Sequence, residues 1–314
     1  MIGQGARGSH GVAAWGPGRS PVQERTVSIV TREPSSLPSS IERLHAAGGE
    51  VDRDEAREIF AWLRAEMSAG RVRAATPDPE SPTGWRVNKW VKQGILLGFR
   101  CGEISSFPGG DPEVSFLDKD TLPLKRLDAS SRVRLVPGGS SIRDGAYLGP
   151  GVICMPPMYI NIGAYVGADS LIDSHALVGS CAQIGARVHV SAGAQIGGVL
   201  EPVGALPVIV EDDALVGGST GIYEGTVVKS LAVIGAGTVL TGSTPVYDLP
   251  RRRVIRPGDG SPLVIPEGAV VVPGTRPVTA EAGREWGLAL ATPVIVKYRD
   301  DKTDTGTELE QWLR

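Results

Sequence analysis

An aliphatic residue recurs at every sixth position through the second half of the chain, and this period constrains the fold more than any other feature. It opens hexads at Ile142, Leu148, Cys154, Ile160, Val166, Ile172, Val178, Ile184, Val190 and Ile196, then at Val210, Val216, Ile222, Val228, Ile234, Leu240 and Val246. Cys154 fits the series because a free thiol packs as a small hydrophobe. Four positions after an opener the residue is usually small or β-branched, as at Ala146, Val152, Ala164, Ser170, Ala176, Ala182, Val188 and Ala194. A period of six fits neither an amphipathic helix nor a single strand, so it describes a coil of repeated short strands.

The architecture this predicts is a mainly-β chain built around a parallel β-helix. Each hexad forms one flat face, three faces make a turn, and the openers stack inside a narrow prism at roughly 4.8 Å per turn. The small residues are expected to turn the corners, with Gly163, Gly167, Gly179, Gly185, Gly217 and Gly235 supplying unusual backbone angles. The beat breaks once, between Ile196 and Val210. The extra residues there, near 197–209, must loop outward, and loops leaving a repeat scaffold commonly mark its binding face.

Composition narrows the partners. With 32 Lys and Arg against 35 Asp and Glu the chain has no basic excess, which argues against nucleic acid. No apolar run is long enough to span a bilayer, and the first residues lack an apolar signal core, so a cytoplasmic protein without a membrane partner is expected. Cys101, Cys154 and Cys181 are odd in number and show no CxxC spacing, consistent with reduced thiols. No residue set has metal-ligand spacing.

Four segments follow. Residues 1–37, rich in Gly, Ser, Arg and Pro, read as a disordered extension. Residues 38–132 form a mainly helical N-terminal domain. One helical stretch runs from Ser39 to Ala75, with Ile59, Phe60, Leu63 and Met67 on one face and Gly70 as its stop; another spans WRVNKWVKQGILLGFR, with Val87, Val91, Ile95 and Leu96 on one face. The coil occupies 133–250. A small C-terminal domain, 251–314, contains a charged loop (LPRRRVIRPGDG), strands at GAVVVPG and TPVIVKY, and a short helix at TGTELEQWLR.

The block MYINIGAYVG, followed by SHALVGSCAQIGARVHVSAGAQIGGVLEPVGALPVIVED, resembles the tetrahydrodipicolinate N-succinyltransferases, left-handed β-helix enzymes of diaminopimelate and lysine synthesis. WRVNKWVKQGILLGFR, RLVP, GAVVVPG and PVIVK match that family's pattern in the same order, so the resemblance runs from about residue 40 to the C-terminus. It implies succinyl transfer from succinyl-CoA, a co-substrate rather than a tightly bound cofactor, to the amine of ring-opened tetrahydrodipicolinate. It implies also a homotrimer with sites between neighbouring coils. Arg134, the arginine of RLVP, corresponds to the group that holds an acceptor carboxylate, a task suited to a bidentate guanidinium. Asp173 corresponds to the acid that engages the amine and can take its proton. Where the family's better-known branch has a second catalytic glutamate, this chain has Gly221; the nearest acid, Glu224, lies seven hexads beyond Asp173 and is expected to oppose it from an adjoining prism.

Contacts to CoA are less legible. Gly198, Gly217, Gly218 and Ala236 are small enough to let the pantetheine arm approach, and Lys229 or the Arg251, Arg252, Arg253 run could meet phosphates. His175 and His189 read as structural. Cys181, lacking a partnered base, reads as packed rather than nucleophilic, and Glu201 in the outward loop as either a substrate contact or a loop-fixing group. Four rivals are weighed against this: an acetyl-CoA-dependent enzyme acting on the same acceptor, a non-catalytic β-helix scaffold motivated by Gly221, a sugar nucleotidyltransferase, whose Gly-rich nucleotide-binding domain the helical segment does not resemble, and a zinc carbonic anhydrase. The last needs three converging histidines, and only His175 and His189 lie in the coil.

Overall fold

The computed structural model describes residues 36–108, 115–258 and 261–299. Residues 1–35 and the expected C-terminal helix at TGTELEQWLR lie outside the described residues.

Each hexad supplies a two-residue strand whose second member is the opener, as in Ser141–Ile142, Tyr147–Leu148 and Ile153–Cys154. Side chains alternate along a strand, so the first residue points outward and the opener points in. Every opener from Ile142 to Val246 is buried. Successive turns are in strict register: Leu148, Val166, Ile184, Val210, Val228 and Ile265 form one inward column. Three faces result. The first begins at Arg134–Leu135, the second at Ser141–Ile142 and the third at Tyr147–Leu148. This is the expected parallel β-helix.

The corners are built differently from the expectation. The small residues do not turn the chain; Ala146, Ala164, Ala182 and Ala194 are buried and complete the interior. The turn is made one residue earlier, by left-handed backbone at Gly145, Gly163, His175 (φ 62°) and Cys181 (φ 67°), among others. Of the glycines expected to supply such angles, only Gly163 has positive φ. The rest are needed for close approach of turns. A Cβ on Gly167 would sit 2.5 Å from the carbonyl carbon of Gly185, and one on Gly179 would sit 2.2 Å from the nitrogen of Gly198.

The N-terminal unit comprises α1 (Leu37–Ala46), α2 (Arg53–Ser68) and α3 (Lys89–Cys101). The first helical stretch is divided because Gly48–Glu50 tightens into a single 3-10 turn and Asp52 starts a new helix, its carboxylate accepting from the amides of Asp54 and Glu55. Gly70, with φ 73°, lies just past the end of α2 as expected. Trp85–Val87 is a strand paired with Ala75–Pro77, not the first turn of α3. Val87 therefore leaves the helical face, and Leu97 rather than Leu96 joins Val91 and Ile95 in the core. Ile162 and Cys181 of the coil belong to that same core, so the helices are seated on the edge between the second and third faces.

The prism does not end at residue 250. Val264–Ile265 extends the third face and Val270–Val271 the first. The chain then forms a long antiparallel hairpin, Ala269–Pro277 with Ala289–Tyr298, whose connection carries the short helix Glu281–Glu285. Part of the charged loop is also strand, Arg253–Ile255 pairing with Val246–Asp248.

Because Ile184 is fully buried at mid-column, Ile184→Ala removes packing above and below it. A loss of about 2–4 kcal/mol is expected in guanidinium unfolding. Val239→Ala, at a half-exposed outward position, should change stability by less than about 0.5 kcal/mol.

Candidate functional site

Three edges run the length of the prism, and each carries a different chemistry. Asp173, Gly217, Gly218 and Ala236 all fall on the edge between the first and second faces. Backbone hydrogen bonds connect its successive turns, from Gly193 N to Ser174 O, Ser219 N to Ala192 O and Gly237 N to Gly218 O. Above Asp173 the edge is lined by Ser191, Ala192, Gly217, Gly218, Gly235 and Ala236, so little side-chain bulk rises from it. Asp173 is half-buried, and one carboxylate oxygen accepts from the Ser174 amide at 2.7 Å, which fixes the carboxylate and leaves its other oxygen available. Arg134 lies on the first face two rungs below, in register with Ile153 and then Leu171. Two rungs span roughly 10 Å. Its side chain is exposed and no described residue pairs with its guanidinium. An open cation and an oriented carboxylate thus stand on one side of the prism.

His175 turns the Asp173 corner. It borders an open hollow of about 400 Å3 on the second face, with Tyr159, Leu177 and Gln195. His189 projects from the first face between Leu171 and Leu215.

Glu224 and Gly198 lie on a different edge, between the second and third faces. The Glu224 carboxylate accepts from the Gly242 amide at 2.6 Å and clips one rung to the next. It borders a hollow of about 560 Å3 shared with Ser81, Thr83, Gly204 and Leu206. Within one chain, then, Asp173 and Glu224 are not brought together. Gly198 is glycine because a Cβ would meet the Ser180 amide nitrogen at 2.5 Å. The outward loop between Ile196 and Ile209 appears where the break in the beat places it. Lys92 of α3 holds it, donating to Ala205 O at 2.6 Å; burial pushes this ammonium's pKa down. Glu201 is exposed on the loop.

Lys229 is on the third edge and its ammonium is committed to structure. It donates to Glu211 Oε1 and to Thr83 O, both at 2.7 Å. Glu211 also accepts from Trp85 Nε1 at 2.8 Å and from the Ser230 amide at 3.1 Å. Beside this cluster Arg73 lies 3.7 Å over the Tyr165 ring and 5.4 Å over Trp85, with its Nε donating to Gln183 at 2.9 Å. These groups fasten the N-terminal unit to the third face. Sequence reading missed them, although Tyr147 and Tyr165, one full turn apart, already mark that face as aromatic and stack at 4.7 Å. In the C-terminal run Arg253 pairs with Asp248 at 2.9 Å and Arg251 lies 4.0 Å over Tyr298. Burial pushes the Cys154 and Cys181 thiols up to about 12, which keeps both protonated and inert at neutral pH.

Gly221 occupies an outward position on the second face, between Gln195 below and Val239 above. The ring of Tyr223 lies across it.

Residues 36–101 match the family model described as the tetrahydrodipicolinate N-succinyltransferase N-terminal region. Over most of its length the chain is similar to proteins named 2,3,4,5-tetrahydropyridine-2,6-dicarboxylate N-succinyltransferase. It is 37% identical to that of Rhodopseudomonas palustris over 289 residues, covering 89% of this chain and 99% of the relative. The corresponding protein of Nitrobacter winogradskyi is 36% identical over 83% of this chain and 91% of its own length. That of Variovorax paradoxus is 38% identical over 83% and 90%.

The Glu211 cluster gives a prediction about stability. Burial raises the pKa of this carboxylate, but hydrogen bonds from Lys229 and Trp85 outweigh it and hold the group below its ordinary value. Its contribution is therefore complete above the ordinary glutamate range and is lost as pH falls through the lowered value. Glu211→Gln should cost about 2 kcal/mol at pH 7, discounted for the partial exposure of the pair. In denaturant unfolding the gap between variant and parent should shrink below about pH 4.

Proposed function

The chain belongs to the 2,3,4,5-tetrahydropyridine-2,6-dicarboxylate N-succinyltransferase family, and on that premise we propose that it is a CoA-dependent N-acyltransferase. It moves succinyl from succinyl-CoA to the amine of tetrahydrodipicolinate in its ring-opened form, L-2-amino-6-oxopimelate, within diaminopimelate and lysine synthesis. The observation that supports this reading best is the pairing of an oriented Asp173 with an open Arg134 on one side of the prism.

In this reading Arg134 holds a carboxylate of the acceptor through two parallel hydrogen bonds. Asp173 orients the amine and accepts its proton as nitrogen adds to the thioester carbon. An amine is already reactive toward a thioester, so no covalent enzyme intermediate is required. The pantetheine arm lies along the smooth edge at Gly217, Gly218 and Ala236, where backbone groups are reachable. Gly198, on another edge, contributes from an adjoining copy. Lys229 takes no part in holding phosphate, because its ammonium already bridges Glu211 and Thr83. Glu224, expected opposite Asp173, serves first as the clip to Gly242.

The catalytic form is a homotrimer in the cytoplasm. Supporting the trimer, the first face points Ile153, Leu171, Leu215 and Val233 outward in one column that His189 interrupts at a single rung, a mainly apolar strip on a flat sheet that a second copy would cover. A ring of three such copies closes without leaving an open interface. Supporting the compartment, all three cysteines are free thiols. Among the described residues no helix is long and apolar enough to cross a membrane.

Thiol release from succinyl-CoA is expected only when tetrahydrodipicolinate is added. Faster release from acetyl-CoA would move the donor assignment to the acetyl branch, and none from either would leave the scaffold reading. Asp173→Asn should lower kcat by about 10²–10⁴-fold. Arg134→Ala should raise the acceptor KM by about 10–100-fold with a smaller effect on kcat. Light scattering should report three copies; an active monomer would defeat a shared site.

A further inference from the structure

The family resemblance leads one to expect an acid at position 221, where this chain has glycine. The side-chain space there is filled from two residues away. A Cβ on Gly221 would lie 2.5 Å from Cε2 of Tyr223, 2.9 Å from its Cζ and 2.9 Å from its Oη. A Cβ on Gly197 would lie 2.9 Å from Cδ1 of the same ring. Two glycines thus form the floor on which Tyr223 rests, and no larger residue fits beneath it. The phenol oxygen stands beside the point where the expected acid's side chain would begin.

The corner that carries Tyr223 is itself unusual. Glu224 and Gly225 are both left-handed, with φ 53° and 71°, whereas Gly145, Gly163 and Cys181 turn the lower rungs of this edge with one such residue each. Tyr223 is half-buried through its ring, and no described residue hydrogen-bonds its hydroxyl. One oxygen of the Glu224 carboxylate is meanwhile held by the Gly242 amide of the next rung. At this rung it is the phenol that lies over the outward position of the second face, at Gly221.

We propose that Tyr223 is a catalytic residue of this chain, its hydroxyl reaching from one copy to a site completed by Asp173 of an adjoining copy and donating a hydrogen bond to the thioester oxygen as that oxygen gains charge. The proposal rests on the acyl-transfer reading. An ionised carboxylate only accepts hydrogen bonds, while a phenol donates one; the exchange of acid for tyrosine therefore changes the task from proton handling to oxyanion stabilisation. In the step, the amine nitrogen bonds to the carbonyl carbon and the C=O pair moves onto oxygen, where Tyr223 meets it. Collapse restores C=O and breaks the C–S bond. One amine proton passes through Asp173 to the departing sulfur, releasing the CoA thiol, and the phenol keeps its own proton throughout.

Tyr223→Phe keeps the ring on its glycine floor and deletes only the donor. With succinyl-CoA and tetrahydrodipicolinate, kcat should fall about 10²–10³-fold, while both KM values stay within about threefold and the melting temperature is unchanged. A second variant, Gly221→Glu combined with Tyr223→Val, puts a carboxylate back in the vacated space. It should recover turnover relative to Tyr223→Phe and add an ionisation to the acid limb of the kcat profile. If Tyr223→Phe retains kcat within about threefold, the proposal is overturned while acyl transfer stands. If Tyr223→Phe melts early and the double variant recovers nothing, the tyrosine is structural and the proposal fails. Should the unmodified chain release no thiol from either donor, the acyl-transfer reading falls and this assignment with it.

Discussion

The stacking of one inward aliphatic residue on the next, turn after turn, is the constraint from which the rest of this molecule follows. With Leu148, Val166, Ile184, Val210 and Val228 in a single column, the position of each flanking residue is determined. The residue before the opener faces outward and the one after it begins a corner. Side chains far apart in sequence therefore line up in rows along faces and edges, and a row can hold one kind of chemistry. The three edges illustrate this. One is stripped of bulk around Gly217 and Ala236 beside Asp173, one is covered by helices, and one carries the Glu211–Lys229 pair.

That regularity is why the coil could be read from residues alone. Its openers, its three faces and its outward loop after Ile196 need only local counting. The corner chemistry resisted the same reading, since a glycine required for a positive φ and one required for close approach look alike in a string. Gly163 and Gly167 differ only in what surrounds them. The helical division at Asp52 was signalled by Gly48 and Gly49 but obscured by the helical pattern on both sides. Trp85 reads as helical in the sequence because its three-residue strand and the partner Ala75–Pro77 are too short to show the alternation of a longer strand.

The candidate site was legible to the extent that its residues lie in one row. Asp173, Gly217, Gly218 and Ala236 share an edge, as counting in sixes allows. Lys229 shows the limit: its partner Thr83 O belongs to a separate unit of the chain, and no periodicity connects them. Tyr223 shows another. A tyrosine next to an acid reads as an ordinary corner until the floor made by Gly197 and Gly221 is seen.

The bonds fastening the helices to the coil also impose an order on assembly. Arg73 reaches Gln183 across 110 positions, Lys92 reaches Ala205 across 113, and Thr83 waits for Lys229 across 146. Neighbouring rungs, by contrast, are only 18 positions apart where the beat is unbroken, as for Tyr147 and Tyr165. Contacts distant in sequence close late, because the loop entropy must be met before they form. On the ribosome the helices emerge first, yet their docking surface is complete only after most of the prism has been made. The apolar patch around Ala75 spends that interval uncovered, since Ile209 and Val227, which bury it, are among the later residues to appear.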